Sequence, residues 1–152
     1  MTETRWLDDT ELSAWKHLSL MQLQLAARLN RELADDGLSY QDYVVLAILS
    51  EQPDERLRVV ELGRELGWEK SRMSHHITRM SDRGLVVKER CPTDQRGAFV
   101  VLTADGRHAI EAAAPAHVAA VRRLFVDLLS RDQLHGLDSI ARTVLAQLAE
   151  GD

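Results

Sequence analysis

The residues of this chain that could do chemistry on a partner crowd into one short segment. Between Lys70 and Arg96 stand seven cations (Lys70, Arg72, Arg79, Arg83, Lys88, Arg90, Arg96) against three carboxylates (Asp82, Glu89, Asp94), a local charge of +4. The 152-residue chain carries −5 in all, so the remainder carries −9. A basic segment inside an acidic chain points to an anionic partner, because neutralising phosphates is the main sequence-independent term in DNA affinity. At 100° per residue, Met73, Ile77 and Met80 fall on one side of a helix. Ser71, His75, Thr78, Arg79 and Asp82 fall on the other, with Arg72 and Ser74 at its margins. Hydroxyls, an imidazole and arginines on one face can hold phosphates and read base edges in a major groove, where arginine pairs bidentately with guanine. The same face could also be an ordinary solvated one, and the next segment tips the balance. Cys91 to Arg96, with Pro92, Asp94 and then Gly97, is a turn by composition, and it projects Gln95 and Arg96 from a narrow hairpin flanked by Lys88 and Arg90. Such a ribbon can enter a minor groove, where a cation is favoured. Arg72 and His75 are expected to set base preference, and Lys88 and Arg90 to meet phosphate.

Other chemistries lack their residue patterns. Six histidines (His17, His75, His76, His108, His117, His135) form no His-x-x-x-His pair and no Glu-x-x-His motif, and no glycine-rich phosphate loop is present. No enzyme, no metal site and no cofactor are expected. The single cysteine, Cys91, cannot form an intrachain disulfide and is read as a passive thiol. His76, at the edge of the apolar side, reads as a satisfied, partly buried histidine. No apolar run approaches the roughly 20 residues that span a bilayer, and MTETRWLDDTELS is acidic where a secretory signal is basic and then apolar. Cytoplasmic location and no membrane partner follow as expectations. Apolar residues at 45% and charged residues at 28% suit one soluble globular domain.

The elements that must position the basic segment are legible from caps and periodicity. Asp8 with Glu11 is a capping box, Leu7 and Leu12 are its staple, and Gly37 is placed to end a helix carrying Leu18, Met21, Leu25, Leu29 and Leu33 at spacings of three and four. Ser39 caps a second helix, apolar on most sides, and Gln52 to Glu55 read as a loop. VVELGRELGWEKSRMSHHITRMSDRG reads as two helices broken at Gly67, with Leu62 and Leu66 facing inward on the first and Gly63 offering a close backbone approach. Strands at Leu85 to Glu89 and Phe99 to Thr103 form the hairpin. Thr103 caps an alanine-rich helix in which Pro115 predicts a kink or restart. Ser130 with Gln133 opens a last helix bearing Leu137, Ile140, Ala141, Val144, Leu145 and Leu148. The fold class is mainly α with a small β-hairpin wing: a winged helix-turn-helix lobe over 38–103, with dimerisation helices from 1–37 and 104–152. The apolar stripes on the terminal helices predict a homodimer. A winged-helix module that docks proteins and not DNA is the competing reading, and cations on both the helix and the wing argue against it.

On these residues the chain resembles the multiple-antibiotic-resistance regulator (MarR) family of bacterial repressors. SRMSHHITRMSDRGLV is similar to the family's recognition helix and following strand, and DQRGAFVVLTADG to its wing, which carries Asp-x-Arg and then Leu-Thr-x-x-Gly. The resemblance implies a triangular dimer with interlocked terminal helices and two winged helices facing double-stranded DNA, on a pseudo-palindromic operator. It gives Arg96 the minor-groove role, makes Asp94 the carboxylate that holds it, and puts Ser71, Arg72, Ser74, His75 and Arg79 on recognition-helix positions. Three residues depart from the pattern: Glu69 replaces a serine-like cap, His75 stands where arginine is common, and His76 replaces an apolar residue. The resemblance also implies repression and a small phenolic or carboxylate effector between the dimerisation helices and the winged helix, where Trp15, His17 and Met21 are candidate lining residues.

Overall fold

The computed structural model describes residues 2–91 and 94–151; the side chains of 91 and 94–96 lie outside that description, and with them the expectations placed on Cys91, Asp94, Gln95 and Arg96. Helix α1 spans Asp9–Leu33. Its capping box forms as the spacing predicts, with Asp8 Oδ1 accepting the Glu11 N–H at 2.8 Å and Glu11 Oε2 accepting the Asp8 N–H at 3.0 Å. A 3-10 turn, Ala34–Asp36, follows, and Gly37 at φ +72° takes the left-handed conformation that lets the chain double back. Helix α2, Tyr40–Glu51, opens on Ser39, whose hydroxyl accepts the Asp42 N–H while Asp42 accepts the Ser39 N–H.

A strand that the sequence pattern does not reveal comes next. β1, Arg56–Arg58, pairs antiparallel with the C-terminal half of β3, Arg56 opposite Val101 and Arg58 opposite Phe99. Three residues with one apolar side chain give no period-2 signal, so only its partner strand defines it. Helix α3, Val59–Leu66, and helix α4, Lys70–Asp82, meet at Gly67, φ +65°. The wing consists of β2, Val86–Cys91, and β3, Asp94–Leu102, giving the sheet order β1-β3-β2. Both wing strands run further than predicted, and a register shift falls between Arg90 and Cys91. The six-residue turn expected from composition therefore shortens, because most of it continues the ladder.

Helix α5, Ala104–Leu124, passes through Pro115 as one helix, so the expected restart does not occur. Its N-terminus explains why a Leu-Thr-x-x-Gly motif belongs here. Thr103 Oγ1 accepts the Gly106 N–H at 2.9 Å and donates to the Gly84 carbonyl at 2.6 Å, tying the helix start to the end of α4. A Cβ on Gly106 would overlap the Leu85 carbonyl oxygen, so the close backbone approach lies here. At Gly63, where it was expected, a Cβ would make ordinary contacts at 3.4 and 3.5 Å.

One core joins these elements. Val45, Leu46 and Leu49 of α2 pack with Leu62, Met73, Ile77, Met80, Val86 and Val100, and Leu33 of α1 and Ile110 and Ala113 of α5 belong to the same cluster. The core thus crosses both edges of the 38–103 lobe. The far ends of the terminal helices are bare: helix α6, Arg131–Glu150, buries no residue, and Ile140, Val144, Leu145 and Leu148 are all more than half exposed, as are Leu12, Trp15 and Leu23 of α1.

Where α5 crosses α2, the His117 ring lies 4.0 Å from the Tyr43 ring and 6.3 Å from that of Tyr40. Burial pushes the His117 pKa below its ordinary value and raises that of Tyr43. A folded-state pKa below the unfolded one means that the folded chain binds fewer protons between the two values. Stability should therefore fall as pH drops from about 6.5 toward the folded value. Denaturant titrations at pH 7.5, 6.5 and 5.5 should show this slope, and His117→Phe should remove it; an unchanged slope would assign it to another group.

Candidate nucleic-acid interface

The glycine at φ +65° between α3 and α4 sets the two helices of the helix-turn-helix at an angle. Helix α4 is anchored by Met73, Ile77 and Met80, which are 0–1% exposed. With that side fixed, Ser71, Arg72, Ser74, His75, Thr78 and Arg79 all face outward. Glu69 is the α4 N-cap and makes no side-chain capping bond, as its type predicts. Lys88 and Arg90 are exposed on β2 and, with Val86, point to one side of the ladder. On the other side Arg56 stacks on Phe99 at 4.1 Å and reaches Glu89 at 3.4 Å.

The structure brings together three groups that sequence reasoning did not connect. His76 is buried at 7% exposure, with its Nε2 3.1 Å from Asp42 Oδ1 on α2 and its ring edge-on to Trp68 at 5.1 Å. Arg83, just past α4, donates from Nη1 to Asp42 Oδ2 at 2.8 Å and from Nη2 to the Gly37 carbonyl. Burial by itself would raise the Asp42 pKa. The bonds from His76, the Ser39 N–H and Arg83 outweigh it and hold the carboxyl well below the usual range. One carboxylate thus ties both the middle and the end of α4 to the start of α2. Ser39-x-x-Asp42 was available in the sequence as a capping box; its link to Arg83, 41 residues on, was not.

Two clefts open on this lobe. One of about 630 Å³ lies between the α3–α4 turn and the wing, lined by the apolar Val60, Trp68 and Met73 and the polar Lys70, Ser74 and Lys88 among others. The other, about 390 Å³, separates the N-terminus of α2 from α4. Trp15, His17 and Met21 sit on an exposed stretch of α1 and line neither cleft. Among the described residues, no group of three His, Cys, Asp or Glu side chains is placed to hold a metal, and no helix is long and apolar enough to cross a membrane.

Residues 36–97 match the family model described as MarR family. The transcriptional regulator HosA of Escherichia coli O111:H- is 33% identical over 103 residues, which cover 67% of this chain and 73% of that protein. Among solved structures, AbsC, a MarR family transcriptional regulator from Streptomyces coelicolor, superposes with a TM-score of 0.88 at 41% identity, covering 98% of this chain and 100% of its own. Sco3205, a MarR family transcriptional regulator from the same organism solved in complex with DNA, superposes at 0.87 with 37% identity, covering 93% and 89%.

Proposed function

Since this chain belongs to the MarR family of DNA-binding transcription regulators, we propose that it binds a pseudo-palindromic operator as a homodimer, each subunit laying α4 in a major groove and its wing along the adjacent minor groove. The observation that carries this reading is the division of α4 into a fully buried apolar side and an outward side of Ser71, Ser74, His75 and Arg79. The lobe of residues 38–103 is the DNA-binding unit, and the flanking helices supply the dimer. Two-fold symmetry then asks for half-sites about 10 bp apart. The competing protein-docking reading is not favoured, since the relatives are transcriptional regulators.

Within this interface His75 reads bases, and Lys88 and Arg90 meet phosphate. Selection of duplexes from a random pool by His75→Ala and Lys88→Ala is the test. His75→Ala should change the selected sequence, since a side chain paired to a base edge supplies roughly 1–3 kcal/mol of discrimination. Lys88→Ala should keep the sequence and flatten the salt dependence by about 0.9 for each phosphate no longer neutralised. Identical shifts in both variants would refute the division. In the wing, Gln95 and Arg96 enter the minor groove and Asp94 holds Arg96. Asp94→Ala should therefore weaken DNA binding although it removes a negative charge; tighter binding would defeat that role.

Repression controlled by a small phenolic or carboxylate effector completes the proposal, and a DNA partner puts the protein in the cytoplasm. Trp15, His17 and Met21 lie bare on α1, so they can line an effector site only together with the second subunit. Effector and DNA must each lower the other's affinity by the same factor. Calorimetric titration of phenolic acids into free and DNA-bound protein would find equal affinities for any compound that is not an effector.

A further inference from the structure

Helix α4 has a second stripe that base reading does not use. Arg72, His76, Arg79 and Arg83 recur at spacings of four, three and four, within roughly 60° of the helix circumference at 100° per residue. This stripe runs along the α2-facing edge of the outward side: Arg72 and Arg79 are exposed, and His76 between them is buried. Across from it stands the N-terminus of α2, and the cleft of about 390 Å³ between them is lined by Ser39, Gln41, Trp68 and the three arginines.

Each guanidinium is held in place by a neighbour. The Arg72 guanidinium carbon lies over the Trp68 ring, 4.2 Å from its centroid. Arg79 Nη2 is 3.4 Å from His76 Nδ1, and Arg83 is bonded to Asp42 and to the Gly37 carbonyl. A cation–π contact uses the charge of the guanidinium and not a hydrogen bond from its N–H donors, so it holds the group while leaving the fork available. Asp42 is the one carboxylate in the lining, and against three guanidiniums it leaves the cleft with two positive charges before any contribution from His76. The positive end of the α2 dipole adds to that field. A field of that sign favours an anion.

We infer that this cleft is a clamp for one backbone phosphate of the operator, gripped by Arg72 and Arg79, with Arg83 fixing α4 against α2. The inference rests on the reading that α4 enters a major groove. A helix about 10–12 Å across fills a groove about 12 Å wide. Arg79 and Arg72 stand some 50–75° round from its groove-facing centre on the side of α2, toward one sugar–phosphate wall, while Ser71 and His75 lie within about 30° of that centre. Arg72 is on this account indifferent to sequence, and base reading stays with His75.

The experiment uses a duplex that the wild-type protein has enriched from a random pool. Its affinity is measured between 50 and 200 mM salt for wild type and for Arg72→Gln/Arg79→Gln, on the parent duplex, on single base-pair variants and on duplexes with single methylphosphonate replacements. In a dimer the double variant gives up two phosphates, so the slope of log affinity on log salt should flatten by about 1.8. The ranking of base-pair variants should not change. One methylphosphonate position in each half-site that weakens wild type should have no further effect on the double variant, while those facing Lys88 and Arg90 weaken both. A changed ranking at an unchanged slope would overturn the clamp and make these arginines base readers. Saturable binding of inorganic phosphate that the double variant loses, with the DNA slope unaltered, would also overturn it, in favour of a small-anion site. If wild type enriches no duplex, it is the major-groove reading that fails, and the clamp falls with it.

Discussion

Gly106→Ala should unseat the wing from the rest of the molecule. A Cβ at this position overlaps the Leu85 carbonyl oxygen and lies 2.9 Å from Leu102 Cδ1. The first of these is backbone, at the point where Thr103 N–H also donates to Leu85 at 3.2 Å, so no side-chain rotation relieves it. Either α5 moves away from the end of α4 or the Leu85 peptide turns and the first rung of β2 is lost. Overpacking of this kind costs typically 1–3 kcal/mol, and a clash with main chain belongs at or above the top of that range. For a domain of this size a loss of about 3 kcal/mol lowers Tm by roughly 6–12 °C. DNA affinity should fall with it, because the hinge of the wing is what moves. Thermal unfolding followed by circular dichroism checks this, and a variant within about 2 °C of wild type would show that the backbone absorbs the methyl freely.

Charging the bare face of α6 should produce the largest functional loss. Val144 and Leu148 are 52% and 64% exposed, one turn apart, and no residue of α6 is fully buried in its own subunit, Leu134 and Leu137 at its start being partly so. Most helical stability in proteins comes from packing an apolar face, so the bare stripe of this 20-residue helix calls for a partner. Each aliphatic side chain fully covered there contributes about 1.5–3 kcal/mol. Val144→Glu/Leu148→Glu should give a monomer by sedimentation at micromolar concentration. Its affinity for an operator with two half-sites should drop by about 10²–10⁴-fold, the advantage that linking two binding units confers. The winged-helix core contains neither residue, so its near-ultraviolet signal should persist. A variant that stays dimeric would move the interface elsewhere.

How far the sequence could be read depended on how local each cause is. Asp8 with Glu11, and Ser130 with Gln133, act within one helical turn, and both boxes form where the spacing put them. Likewise the alternation of Met73, Ile77 and Met80 with polar residues dictated which side of α4 turns outward, because an amphipathic helix has one way to bury its apolar side. β1 was hidden because three residues carry no period of their own. Of the kink or restart expected at Pro115, the restart does not occur, since a proline removes only one donor and α5 continues through it.

The sequence by itself determined the helix limits, the outward face of α4 and the concentration of positive charge there, since propensity, periodicity and composition are properties of neighbours along the chain. Only the tertiary structure decided what that face is anchored to. The meeting of Asp42 with His76 and Arg83, the overlap that forbids a side chain at Gly106, and the seat of Arg72 on Trp68 beside the α2 N-terminus all depend on how α2, α4 and α5 pack. A buried charge needs its partner within a few ångströms, and which residues come that close is fixed by the packing of whole elements, not by their separation in sequence.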